Sequence, residues 1–202
     1  PAPSAPPGAQ KPTAEPAKIP GGTPGLVVSA LNDAGITSPK AHANVLATVK
    51  AESNFRPQSE SLFYRTAKQI AGKFGKKRIP SEEFAQQFVS SKGDNRSELL
   101  ANHVYKSTDG NSAPGDGFKY RGRGFIQHTG KNQYAAISKA TGTDLLSNPD
   151  ALNSPEVASK AIAWFFLDYK RLKPKDMESI SKVNKAVGFA DDKAGTQAKK
   201  RE

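Results

Sequence analysis

Cysteine is missing from all 202 residues, so neither a disulfide framework nor a thiolate metal site is open to this chain, and its redox compartment is left undetermined. Long apolar runs are missing too. None approaches the roughly 20 residues a membrane helix needs, and no membrane insertion is expected. Acidic residues are scarce beside basic ones: 19 Asp plus Glu against 30 Lys plus Arg, a formal net charge of +11. That balance favours an anionic partner, be it nucleic acid, anionic lipid or a bacterial envelope, and charge alone does not choose among them. No stretch reads as a secretory leader, and the chain opens on Pro1 rather than Met, which suggests a piece of a longer product.

Several chemical signatures are also lacking. The stretch "GDGFKYRGRG" has no Gly-Lys-Ser/Thr to make it a phosphate loop, no dinucleotide fingerprint opens a helix, and no Gly-x-Ser-x-Gly elbow occurs. His42, His103 and His128 stand in neither His-x-x-x-His nor His-Glu-x-x-His spacing, so no metal and no cofactor are expected. The "RGRG" element occurs once in an apolar context, unlike a repetitive RNA-binding tract, so nucleic acid is not expected as the partner.

What is present suffices for one core: 36% of residues are hydrophobic. Residues 1–24 hold most of the prolines and almost nothing apolar, and read as a semi-extended linker. Residues 25–202 read as one mainly α domain. Helices are expected over "LVVSALNDAG", stopped by Gly35, and over "SPKAHANVLATVKAES", with Ser38 as N-cap and Pro39 at the first helical position. Others follow over "LFYRTAKQIAGKFG", "SEEFAQQFVSS", "DNRSELLANHVY" capped by Asp94, and "KNQYAAISKATG" ended by Gly142. "SPEVASKAIAWFFLDY" is the most apolar stretch, and Ile162, Trp164, Phe165 and Phe166 should form the central core helix. Two weaker helices are expected near "KDMESISKVNKAVG" and "ADDKAGTQAKKRE". Residues 107–124, with Gly130 nearby, carry too many glycines for a helix and predict a long loop leading into short extended pieces.

One carboxylate sits on an unexpected face. Val45, Val49 and Glu52 follow helical spacing, so Glu52 shares an apolar face and lies in the last turn, near the negative end of the dipole. Both effects favour the protonated acid, the form a general acid requires. The plainer alternative is an ordinary ion pair with Arg56, Arg121 or Arg123. Glu60 follows just beyond the turn imposed by Pro57, and two carboxylates near one turn can flank a glycosidic bond.

The segments "KAESNFRPQSESLFY", "ELLANHVYKSTDGNSAPGDGFKYRGRGFIQHTGKNQY", "NPDALNSPEVASKAIAWFF" and "VNKAVGFADDKAG" resemble, in order and spacing, glycoside hydrolase family 19 in its phage endolysin branch. The resemblance spans about residues 41–195. It implies a lysozyme-like helical domain with a short β/loop ribbon lining a glycan cleft, and hydrolysis of β-1,4-linked N-acetylated sugars with inversion, peptidoglycan being the phage substrate. It further implies Glu52 as general acid, Glu60 as general base or substrate-positioning group, and Thr129 with Gln127 as water and sugar contacts. Tyr120 and Arg123 would shape the cleft wall, and Asn184 would face the cleft. The chain departs from the family in "ESLFY" for the usual "ENLNY", and in His128 where an aliphatic residue is usual. Lytic transglycosylase chemistry and a catalytically silent wall-binding module are the alternatives. The Pro-rich start suits a tether to other phage structural proteins, in the virion or in an enzyme released to the periplasm and cell wall.

Overall fold

The computed structural model describes residues 21–189. Nine α-helices occur among them: α1 Gly22–Asp33, α2 Pro39–Ser53, α3 Ala67–Phe74, α4 Glu82–Ala85, α5 Arg96–Val104, α6 Asp116–Lys119, α7 Lys131–Thr141, α8 Pro155–Trp164 and α9 Ile180–Ala186. Helix α1 takes in Gly22, Thr23 and Pro24, which the sequence places in the linker. The last expected helix lies outside the described residues.

Local chemistry explains most boundaries. Pro39 and Pro155 occupy first-turn positions where no N–H is needed. The Ser154 hydroxyl accepts from Val157 N, and the Thr66 hydroxyl from Gln69 N. Asp94 accepts from Arg96 N and Ser91 N, although Asn95 is the residue at the helix boundary. The short helix α6 forms within residues 107–124, where a loop was expected, and three expected helices are shorter or broken. Residues 62–66 form an irregular lead into α3, α4 passes into a 3₁₀ turn at Gln86–Phe88, and the segment after Lys173 splits into a 3₁₀ turn, Pro174–Glu178, and α9. The apolar helix also changes pitch: α8 gives way to a π-helical turn at Phe165–Tyr169.

Two hydrophobic clusters form where one core was expected. The larger gathers α1, α2, α7, α8 and α9 around Leu31, Val45, Val49, Ile162 and Phe166. The smaller joins α3, α4 and α5 through Leu62, Ile70, Phe88 and Leu100. Residues 54–61 and the loop at 120–130 contribute Phe55, Tyr120, Phe125 and Ile126 to the larger cluster or its edge. The two segments hydrogen-bond to each other through their backbones: Glu60 N donates to Gly122 O at 2.8 Å, and Gln58 N to Gly124 O at 3.5 Å. The expected extended ribbon reduces to one antiparallel bridge between Arg123 and His128, with a turn between them.

Candidate active site

Helix α2 delivers Glu52 to its last turn with Val45 and Val49 fully buried on the same face and the carboxylate half-buried. Asn54 ends the helix in the left-handed region (φ 48°), a conformation Asn tolerates. Glu52 lines an open cleft of about 260 Å³ together with Gln127 and His128 from the loop, Gln133 from α7, Phe165, Tyr169 and Lys170 from the π-turn, and Lys185–Gly188 at the end of α9. Of the arginines considered as partners for Glu52, Arg123 pairs with Asp150 instead, at 2.7 Å. Arg121 donates to the carbonyls of Phe118 and Glu60 and lies over the Phe118 ring at 4.0 Å.

Glu60 belongs to the other side of the loop. Its backbone is tied to Gly122, and its Oε2 accepts from the Tyr105 hydroxyl at 2.9 Å. Burial first, then the negative charge of Glu60, pushes the Tyr105 phenol well above its ordinary value, so it remains a donor. Tyr64 is raised by the same two causes in the same order. Nothing in the sequence marked Tyr105, 45 residues from Glu60; its position at the end of α5 makes the contact.

The glycines of the loop permit this crossing. A Cβ on Gly122 would meet Gln127 Oε1 at 2.6 Å, so the missing side chain makes room for that amide. Gln127 has φ 58°, and its Nε2 donates to Gln58 O at 3.0 Å. Thr129 Oγ1 donates to Gln127 O at 3.1 Å. Gln127 therefore reaches the cleft while also binding the loop to the segment between the two glutamates.

Two expected wall residues are corrected. Tyr120 and Arg123 are each 2% exposed and cannot touch substrate. The Tyr120 hydroxyl donates to Leu146 O, and its ring packs on Tyr134. Arg123 donates to Lys119 O, Asp150 and the Tyr134 hydroxyl, and Tyr134 in turn donates to Arg121 O. Burial raises the Tyr134 phenol to about 12, against the opposing pull of Arg123. Both residues hold the loop from beneath. Asn184 is half-buried, and its Oδ1 accepts from Thr48 Oγ1 at 3.4 Å, pinning α9 to α2; the cleft lining in this segment begins one residue later, at Lys185.

His128 is likewise a support. It lies against Trp164 and Phe165, and burial lowers its pKa to about 4, so the ring is neutral. Gln133 Nε2 donates to Thr129 O, which turns its Oε1 toward His128 Nδ1 at 3.3 Å and places the imidazole proton there. His42 and His103 bond to the carbonyls of Ile36 and Arg78, far apart in the chain. Among the described residues, no three His, Cys, Asp or Glu side chains gather as a metal site.

The cleft thus holds the Glu52 carboxyl group beside the Gln127 and Gln133 amides, with the Glu60 segment hydrogen-bonded to the loop at Gly122. The sequence model of glycoside hydrolase family 19, described as chitinase class I, matches residues 31–198, and the chain belongs to that family. A glycosyl hydrolase family 19 domain-containing protein of Haemophilus influenzae is 34% identical over 106 residues, 52% of this chain and 51% of that protein. Endochitinase 2 of Gossypium hirsutum is 37% identical over 78 residues, 38% of this chain and 26% of that protein. Chitinase 8 of Oryza sativa subsp. japonica is 43% identical over 56 residues, 27% of this chain and 22% of that protein. The matches thus span about half of the bacterial relative and about a quarter of the plant ones.

Proposed function

We propose that this chain hydrolyses β-1,4 bonds between N-acetylated sugars of bacterial peptidoglycan, as a phage lytic enzyme acting from the virion or after release to the periplasm and cell wall. Glu52 protonates the glycosidic oxygen as the bond to the leaving sugar breaks, and water near Glu60 and Thr129, giving its proton to Glu60, attacks the anomeric carbon from the opposite face with inversion. No metal or cofactor enters the step. The observation that carries the reading is that Glu52 and Gln127, brought together from α2 and the loop, line one open cleft in a family 19 chain. The net charge of +11 supports an anionic wall as the substrate.

The test compares Glu52→Gln with the unchanged chain on purified peptidoglycan. A fall of about 100-fold or more in the rate of turbidity loss is expected, because general acid catalysis contributes about that much. Equal clearing by both proteins, or none by either, defeats the reading. Mass spectrometry of the products should show reducing ends carrying one added water. Predominant anhydro ends would assign transglycosylase chemistry instead.

A further inference from the structure

One side of the cleft carries an unusual cation arrangement. The π-helical turn closes with Lys170 N donating to Phe165 O, five residues back, at 2.8 Å. Phe165 and Phe166 stay in the core, while Tyr169 is 46% exposed and Lys170 is exposed. The Tyr169 ring stacks on Phe165 with centroids 5.7 Å apart and planes 28° apart. The Lys170 ammonium lies 5.3 Å from each of these ring centroids, so it is held over an aromatic platform. Lys185, exposed in the last turn of α9, lines the same cavity.

Neither lysine makes an ion pair with another described residue, whereas Lys131, Lys175 and Lys182 all do. Against these two cations the cleft lining holds one carboxyl group, Glu52, and the neutral His128. A cleft for an uncharged glycan has no use for that imbalance.

We infer that Lys170 and Lys185 are specificity determinants that bind the carboxylate borne on the lactyl arm of an N-acetylmuramic acid residue, with Tyr169 stacked against the sugar beside it. This rests on the glycosidase reading above. Chitin carries no charge, whereas alternate sugars of peptidoglycan carry a 3-O-lactyl group that ends in a carboxylate or continues into a peptide with carboxylates of its own. A substrate carboxylate seated between the lysines also cancels the field they would exert on Glu52, which must keep its proton until the bond breaks.

The test measures kcat/KM for the unchanged chain and for a Lys170→Gln, Lys185→Gln double variant. The substrates are chitohexaose, peptide-free N-acetylglucosamine–N-acetylmuramic acid oligomers, and the same oligomers bearing stem peptides. The wall-to-chitin ratio should fall about tenfold in the variant, as expected for two partly exposed charge contacts. A fall on peptide-free oligomers supports the inference, and a fall confined to peptide-bearing ones overturns it by naming the peptide carboxylates as the contact instead. A ratio within twofold of the unchanged chain overturns it, as does cleavage of chitohexaose alone by the unchanged chain. If the unchanged chain cuts none of the three, the glycosidase reading fails and this inference with it. Both lysines are exposed, so matched thermal unfolding of the two proteins confirms that the comparison concerns binding.

Discussion

The Tyr105 hydroxyl donates to Glu60 Oε2 at 2.9 Å, joining the end of α5 to the segment that crosses the loop. This one contact orients the second carboxylate from the smaller hydrophobic cluster, while Glu52 is set by the larger. Tyr105→Phe keeps the ring and removes only the donor. We expect kcat on peptidoglycan to fall about tenfold with KM nearly unchanged, and stability to change by about 1 kcal/mol. A rise in KM at constant kcat would reassign Glu60 from handling water to positioning substrate.

The buried, neutral His128 links stability to pH. Its folded pKa of about 4 lies below the ordinary value of 6.5, so between these values the unfolded chain binds a proton that the native one refuses. Stability contributed by the neutral ring is present above pH 6.5 and falls as the pH drops toward 4, by roughly 3 kcal/mol in all. Asp116 and Asp176, both held below the ordinary carboxylate value, extend the loss to lower pH. For Asp116 the hydrogen bonds from Ser112 and Ala113 N–H outweigh its burial, and for Asp176 the chief cause is its bond from Lys182. In urea titrations at pH 7 and pH 4.5, His128→Gln should lose less stability on acidification than the unchanged chain; equal losses would rule out this role for His128.

Arg123 is buried with its guanidinium divided among Asp150, Lys119 O and the Tyr134 hydroxyl. Replacing it with Met leaves the Tyr134 and Lys119 oxygens without their donor inside the loop. Unfolding should become easier by about 2–4 kcal/mol, with activity falling as the loop loosens. A variant with normal stability but no activity would instead return Arg123 to the role of a direct substrate contact.

Gly122 leaves the space that the Gln127 amide fills. Gly122→Ala should expel that amide from its bond to Gln58 O and lower kcat/KM on peptidoglycan about tenfold, with Gln127→Ala giving a similar loss. The double variant should then be no worse than either single one, because both remove the same interaction. Additive losses in the double variant would show that Gly122 and Gln127 act separately.

Much of the helical skeleton is legible in sequence because its signals are local. Pro39 and Pro155 at first-turn positions, Ser154 as a cap and Gly142 at a helix end with φ 72° depend on a few neighbouring residues each. The periodicity that sets Glu52 beside Val45 and Val49 is equally local. The shortening of α3 and the π-turn after Trp164 were not legible, since they answer to partners distant in the chain: Ser90 N donates to Tyr64 O, and Phe165 packs against His128.

The sequence by itself determined the helix order, the apolar stretch through Phe166, the lone acid at the end of α2 and the family motif around the loop. Tertiary structure alone decided which residues of "YRGRGFIQHTG" line the cleft. Tyr120 and Arg123 went inward, where ring packing and an almost fully enclosed guanidinium satisfy one another, while Gln127 and one edge of the otherwise buried His128 line the cleft. Burial is a property of what the rest of the chain places over a residue. For that reason the charged and aromatic members of a glycine-rich loop could be identified from sequence, while their division into supports and cleft-lining groups had to await the packing of α7, α8 and α9 around them.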